Sequence, residues 1–326
     1  MVAKKIAVKM IIMNEYKHGI QLLRFFSSTA VVLAHIAHYI EVYYPFQIID
    51  IAYLEHWGVY GVDIFFIISG YLMVSIQIGK SKSPLKFFAD RLLRVAPLYW
   101  FLTIIYSFGL VVISEHIKSI VKFTIEHFYC SMMFISGLYL DKAPLLTVGW
   151  SLEYEVIFYI LFSISIFIFK NLFYSSICTA FFIIMLFSFA GGPWHVGTEF
   201  VFGLFLGLNK INISYIWGVF ILAIGSRIFD IDVHRAIIVG VPSAILVYYF
   251  TKLNVKKTYL SSLGNISYEV YLVQVFTLPI LFKISYYIYP SIQSISAFII
   301  ILYIMVVLSG LLLNLSYSRV VDTMKF

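Results

Sequence analysis

The stretch "LLRFFSSTAVVLAHIAHYI", residues 22–40, is long and apolar enough to cross a bilayer, yet it keeps Arg24 and His35. An ionisable side chain at membrane depth costs at least a few kcal/mol and faces a protein interior or a cavity. At 100° per residue the separation of Arg24 and His35 is three turns plus about 20°, so both project from one helical face, roughly 16 Å apart along the axis.

Composition extends this reading to the whole chain. Of 326 residues, 62% are hydrophobic, 19% aromatic and 12% charged, and the mean hydropathy is +0.95. Those values lie far from a soluble domain and describe a polytopic membrane protein. The formal net charge of +7 does not indicate nucleic acid, because the Lys and Arg residues sit in short connections beside apolar runs, where they orient spans. Cys130 and Cys178 have no metal-ligand or disulfide spacing, so no metal site is expected. The N-terminal apolar run is short and broken by Asn14, Glu15 and Lys17, so no cleaved signal peptide is expected.

Candidate spans lie near 20–40, 58–78, 95–114, 119–140, 148–169, 172–190, 194–209, 213–229, 235–251, 264–283 and 294–316. The positive-inside rule puts the N-terminus, the Lys80–Arg94 and Lys252–Lys257 connections and the Arg319–Lys325 tail in the cytoplasm, with residues 41–57 outside. An even number of crossings must then separate Arg94 from Lys252. The segment 119–140, interrupted by Lys122, Glu126 and His127, is the one to drop, and it reads as external, interfacial or re-entrant. The expected fold is an all-α bundle of about ten spans with both termini cytoplasmic, at the cost of leaving Lys118, Lys122, Lys142, Arg227 and Arg235 outside. One integral domain is expected to fill residues 1–326, with no appended soluble domain.

Counting from the surfaces puts Asp63 in the second span, and Glu153 and Glu155 in the fourth, at about the depth of His35. An imidazole titrates near neutrality, and a carboxylate can fix its tautomer or stabilise its charge, so His35, Asp63 and Glu155 together suit proton transfer. A buried structural network is the competing reading. On the other side, Arg91 and Arg94 are helical neighbours and join Arg24 in a basic patch suited either to phosphate or to positive-inside anchoring. Pro97 marks a kink or the start of the third span. Walker, dinucleotide, HExxH and GxSxG signatures are absent.

Several motifs in order carry a resemblance: Arg24 with His35; "GVDIFFIISGYLM" at 61–73; "RLLRVAPLYW" at 91–100; "WSLEYEVIFY" at 150–159; "EFVFGLFLG" at 199–207; and "LGNISYEVYL" at 263–272. Together they cover residues 20 to about 315, and the chain resembles the acyltransferase 3 family of bacterial integral membrane acyltransferases, which acylate surface glycans. Two positions depart from the family's pattern: Gln274 stands where members often carry histidine, and Asp90 where they often carry arginine.

The resemblance implies a location in the bacterial cytoplasmic membrane and an acyl-CoA donor, usually acetyl-CoA, on the cytoplasmic side, with no bound cofactor. The acceptor is a glycan or lipid-linked sugar hydroxyl on or near the far side, in a polysaccharide synthesis system. His35 is expected at the centre of transfer, as general base or acyl carrier, with Asp63 or Glu155 supporting it. Arg24, Arg91 and Arg94 are expected to serve donor binding or architecture, and Trp150, His195 and Glu199 the acceptor, alongside Tyr129, Tyr139 and His127 of the external segment. A flippase or secondary transporter shares the intramembrane charges but needs no acyl-CoA, and a receptor or scaffold would leave His35 dispensable.

Overall fold

The computed structural model describes residues 2–45, 52–80, 82–114, 123–190, 194–208, 235–288 and 294–323. The candidate span 213–229 and residues Lys118, Lys122, Lys210 and Arg227 lie outside them. The described residues form helices and their connections, with no strand among them. This is the expected all-α membrane fold.

The long helices are α1 (Val2–Tyr43), α2 (Ala52–Lys80), α3 (Pro84–Ser114), α6 (Trp150–Ile168), α7 (Leu172–Ala190), α11 (Ser267–Ile288) and α12 (Ile295–Thr323). Shorter ones are α4 (Ile125–Met132), α5 (Ser136–Leu140), α8 (Trp194–Gly207), α9 (Val241–Lys252) and α10 (Tyr259–Leu263). Among the described residues six stretches are long and apolar enough to span: His18–Tyr43, Tyr53–Ile78, Pro84–Val111, Thr147–Ile168, Tyr259–Ile288 and Ile295–Ser318. Leu172–Phe187, His195–Gly207 and Ala236–Lys252 are apolar but shorter. Helix α3 begins at Pro84, so Pro97 lies inside it and does not start it.

The chain divides into two compact units, residues 1–68 with 209–326 and residues 69–208. In the first, aliphatic residues of α1 (Val32, Ile36, Ile40) pack on Val270, Leu278 and Phe282 of α11 and on Leu302 and Val306 of α12. Lipid tails are as apolar as these side chains, so close packing rather than water exclusion holds helices together in a membrane, and small residues allow it. A Cβ on Gly58 would lie 2.2 Å from the Ala34 Cβ, and one on Gly61 would lie 2.4 Å from the Ser27 carbonyl oxygen. These two contacts set α1 and α2 antiparallel and fix their register. A Cβ on Gly264 would sit 1.8 Å from the Gln21 carbonyl oxygen, seating the start of α11 against α1. Just before it, Thr258 and Ser261 form a reciprocal cap that begins α10.

In the second unit α3 and α6 run antiparallel: the Phe87 and Phe162 rings lie 5.4 Å apart edge to face, and Gly149 abuts the Tyr99 ring. The last part of α2 lies parallel to α8, with Gly70 against Phe200 and Gly207 against Tyr71 and Val74. The Phe158 and Phe200 rings stack at 3.9 Å.

Within the candidate segment 119–140, helices α4 and α5 are roughly 12 Å and 8 Å long, too short for a hydrocarbon core of about 30 Å. The described part of the segment is pinned against the middle of α3. Trp100 Nε1 donates to the Met132 carbonyl at 2.8 Å, Tyr99 OH donates to that of Ser131 at 3.2 Å, and Phe134, at a φ of 59°, packs on the Tyr99 ring.

Candidate functional site

Helix α1 carries both Arg24 and His35. Arg24 is 8% exposed and its Nη1 donates to Gln21 Oε1 at 3.3 Å. His35 is half-buried, and its Nδ1 lies 2.9 Å from the carbonyl oxygen of Val31, one turn back. A carbonyl only accepts, so Nδ1 carries the proton and the neutral ring presents its Nε2 lone pair. The helix thereby selects the tautomer without any carboxylate.

Asp63 has a different partner. Arg235 Nη2 donates to Asp63 Oδ2 at 2.7 Å, the Asp63 side chain is 3% exposed, and the guanidinium lies 5.8 Å from the Tyr60 ring centroid. Asp63 is also not at the depth of His35, as the sequence reading had it. With Gly58 against Ala30 and Ala34 and Gly61 against Ser27, Asp63 comes level with about Ser27, roughly two turns or 12 Å from His35. The acidic residue near the level of His35 is Glu55, which meets His38 at 3.4 Å and contributes to the field at His35. Arg235, placed outside the membrane by the sequence reading, immediately precedes a π-helical turn, Ala236–Gly240.

The motif "WSLEYE" divides its two acids between tasks. Glu153 is 4% exposed and accepts the backbone N–H groups of Ser136 and Gly137, each at 2.9 Å. It therefore latches the first turn of α5 to α6. Glu155 Oε1 accepts the Ser69 hydroxyl at 2.7 Å and that of Tyr159, one turn on. Because Phe87 meets Phe162 and Tyr99 meets Gly149, Glu155 is nearly level with Arg94 instead of standing clear of it toward the outer face. Arg91 and Arg94 lie close enough to Tyr159 to act on it electrostatically, and no described side chain forms a hydrogen bond or ion pair with either guanidinium. Asp90, the departure beside them, pairs with Lys82.

The acceptor candidates fall in the same unit. Trp150 is half-buried and meets Tyr154 edge to face. Glu199 is fully buried, and His195, half-buried, stands one turn before it on the same face of α8. In the segment 123–140 His127 Nε2 donates to the Ala143 carbonyl at 2.8 Å, a structural use. Tyr129 and Tyr139, 62% and 69% exposed, are open to contact.

Arg235, Ser69 and Tyr159 were missed from sequence. Tyr159 was findable, four residues after Glu155 in the same quoted motif, whereas the Ser69 and Arg235 partnerships depend on tertiary packing.

The acyltransferase 3 model, described as an acyltransferase domain, matches residues 17–314 and runs through both units. A relative, the exopolysaccharide production protein ExoZ of Rhizobium meliloti (strain 1021), is 35% identical over 117 residues, which make up 35% of this chain and 36% of the relative. The alignment thus spans about a third of that protein's length. No solved structure matches the chain. By the match over residues 17–314, this protein belongs to the acyltransferase 3 family.

Proposed function

We propose that the protein moves an acyl group, most simply acetyl, from cytoplasmic acyl-CoA to a hydroxyl of an extracytoplasmic or lipid-linked glycan, with His35 as the reacting side chain. The observation that carries this reading is the Nδ1 bond to Val31, which leaves Nε2 as a lone-pair donor in the neutral ring. Two routes use that atom. As general base, Nε2 takes the proton of the acceptor hydroxyl while the oxygen attacks the thioester carbonyl; the C–S bond breaks and the thiolate recovers the proton. As acyl carrier, Nε2 attacks the thioester carbonyl and the C–S bond breaks to release the CoA thiolate; the acceptor hydroxyl then takes the acyl group, the N–C bond breaks, and the hydroxyl proton passes to the thiolate.

Arg91 and Arg94, free of described partners, are suited to the phosphates of the donor, since guanidinium forks match phosphate geometry. Arg24 lies roughly 16 Å from His35 along α1, a reach that an extended pantetheine arm covers. Glu155, with its two hydroxyl donors, remains a proposed catalytic residue. Asp63, in its ion pair with Arg235, is better read as architecture. Trp150, His195 and Glu199 are proposed for the acceptor, joined by the exposed Tyr129 and Tyr139. The glycan acceptor is supported by the likeness to an exopolysaccharide production protein.

The proposed topology is ten spans with both termini cytoplasmic, in the bacterial inner membrane. It is supported by helix direction within each unit: α2 antiparallel to α1, α6 antiparallel to α3, and α8 parallel to the end of α2. Gly19 also meets the end of α9 at Phe250 and Leu253, as the inward run of that helix requires.

The test is acyl-CoA dependence. Purified protein in proteoliposomes receives acetyl-labelled acetyl-CoA and exopolysaccharide extracted from the producing cells. Label in the polysaccharide that requires both protein and acetyl-CoA supports the reading. Glycan crossing the membrane without label, and without need of acetyl-CoA, would replace it with a flippase.

A further inference from the structure

Helix α11 presents Val270, Gln274 and Leu278 at four-residue spacing, so the three form one stripe along its axis. Val270 and Leu278 pack in the same cluster as Val32 and Ile36 of α1. Between them Gln274, 1% exposed, places an amide in an aliphatic seam. Its Nε2 donates to the Tyr271 carbonyl at 3.0 Å, which fixes the rotation of the amide group. Its Oε1 is buried and has no hydrogen-bond partner.

A buried acceptor with no donor is costly, and a thioether or alkyl group of the same size avoids that cost. The polar group beside the amide is the His35 ring. Since Nδ1 is committed to Val31, the ring atom left to meet Oε1 is Nε2, and it has a proton to give only in the imidazolium.

We propose that Gln274 is a positioning residue for the transfer reaction, its Oε1 accepting the Nε2–H of the His35 imidazolium that forms as the acceptor hydroxyl loses its proton. The inference rests on the assignment of His35 as the reacting side chain and takes the general-base route. In that route the O–H bond of the acceptor breaks, the proton moves to Nε2, a C–O bond replaces the C–S bond, and the thiolate receives the proton. Oε1 gains its donor during the step and loses it when the thiolate is protonated. A neutral amide is suited to this, because it favours the imidazolium without holding its proton as firmly as a carboxylate would.

The charged or titratable groups facing His35 are His38 from its own helix and Glu55 from α2, and these two pair with each other. The α11 contribution is the uncharged Gln274. On the α12 side, the Tyr303 hydroxyl is engaged with Thr29 at 2.8 Å.

The experiment compares wild type, Gln274→Met, Gln274→Glu and His35→Ala as full chains in proteoliposomes, with labelled acetyl-CoA and extracted exopolysaccharide across a pH series. Gln274→Met is expected to lower kcat by about tenfold or more, with KM for acetyl-CoA within about twofold. Loss of the acceptor also moves the acidic limb of its pH–rate profile to lower pH, because the imidazolium is less favoured. Gln274→Glu moves that limb to higher pH by about one unit. Should Gln274→Met fail to fold, the limb of Gln274→Glu decides by itself. An unmoved limb in the folded variants, with His35→Ala inactive, overturns the role of Gln274 and leaves that of His35 intact. Transfer by His35→Ala at the wild-type rate overturns both.

Discussion

Replacing Glu153 by Gln should open the segment 125–140 without touching the chemistry. Glu153 accepts two backbone N–H groups at 2.9 Å each and is 4% exposed, so both bonds are charge-assisted and shielded from water. Hydrogen bonds to a charged group are worth about 1.5–3 kcal/mol each, so the latch holds with roughly 3–6 kcal/mol. A glutamine keeps one acceptor oxygen and turns an NH2 toward the second N–H, so at least one bond is lost. A loss of about 3 kcal/mol raises the open population of the segment by roughly two orders of magnitude. Hydrogen exchange followed by mass spectrometry reads this directly: amides of 125–140 should exchange about a hundredfold faster, while those of α6 below Val156 stay protected. Unchanged exchange in 125–140 would refute the latch and return Glu153 to the list of functional acids.

Other perturbations separate architecture from binding. Asp63→Ala strands the Arg235 guanidinium. Because that side chain is 36% exposed, the loss should fall below the 3–5 kcal/mol of a fully buried pair, at about 2 kcal/mol; adding Arg235→Met should recover part of it in thermal melts, and strict additivity would contradict the pairing. Arg91→Ala and Arg94→Ala should each raise KM for acyl-CoA by about tenfold or more and leave kcat nearly unchanged, an effect that shrinks with salt; a fall in kcat alone would place them elsewhere in the mechanism. Gly264→Ala brings a Cβ to 1.8 Å from the Gln21 carbonyl oxygen, so α1 and α11 must separate and the melting temperature should drop by several degrees.

Much of this was legible in the sequence because membranes impose simple rules. Apolar length located the helices, and where Glu126 and His127 interrupt the apolar run of 119–140 the described residues form only two short helices. The Arg24–His35 face followed from helical period alone. Depth was harder. Counting residues from an assumed surface put Asp63 beside His35, whereas the glycine contacts of α2 against α1 set a register that lowers it by about two turns.

Partner choice was harder still. Arg235 read as a misplaced positive charge until it met Asp63, and "WSLEYE" offers two acids that look equivalent in one dimension. Their separation depends on α5 bringing two N–H groups to Glu153 and on α2 bringing Ser69 to Glu155. Gln274 looked like a lost histidine, and its buried, unmatched oxygen beside His35 became visible only when α11 was packed against α1.

The role of His35 as the reacting side chain is tested most directly by acyl transfer with and without its imidazole. Proteoliposomes holding wild type or His35→Ala, matched for folded protein by melting temperature, receive acetyl-labelled acetyl-CoA and extracted exopolysaccharide. Labelled polysaccharide from the wild type, with at least a hundredfold less from His35→Ala, is the predicted result. Equal labelling by both proteins would contradict it and move the chemistry to Glu155 and Tyr159.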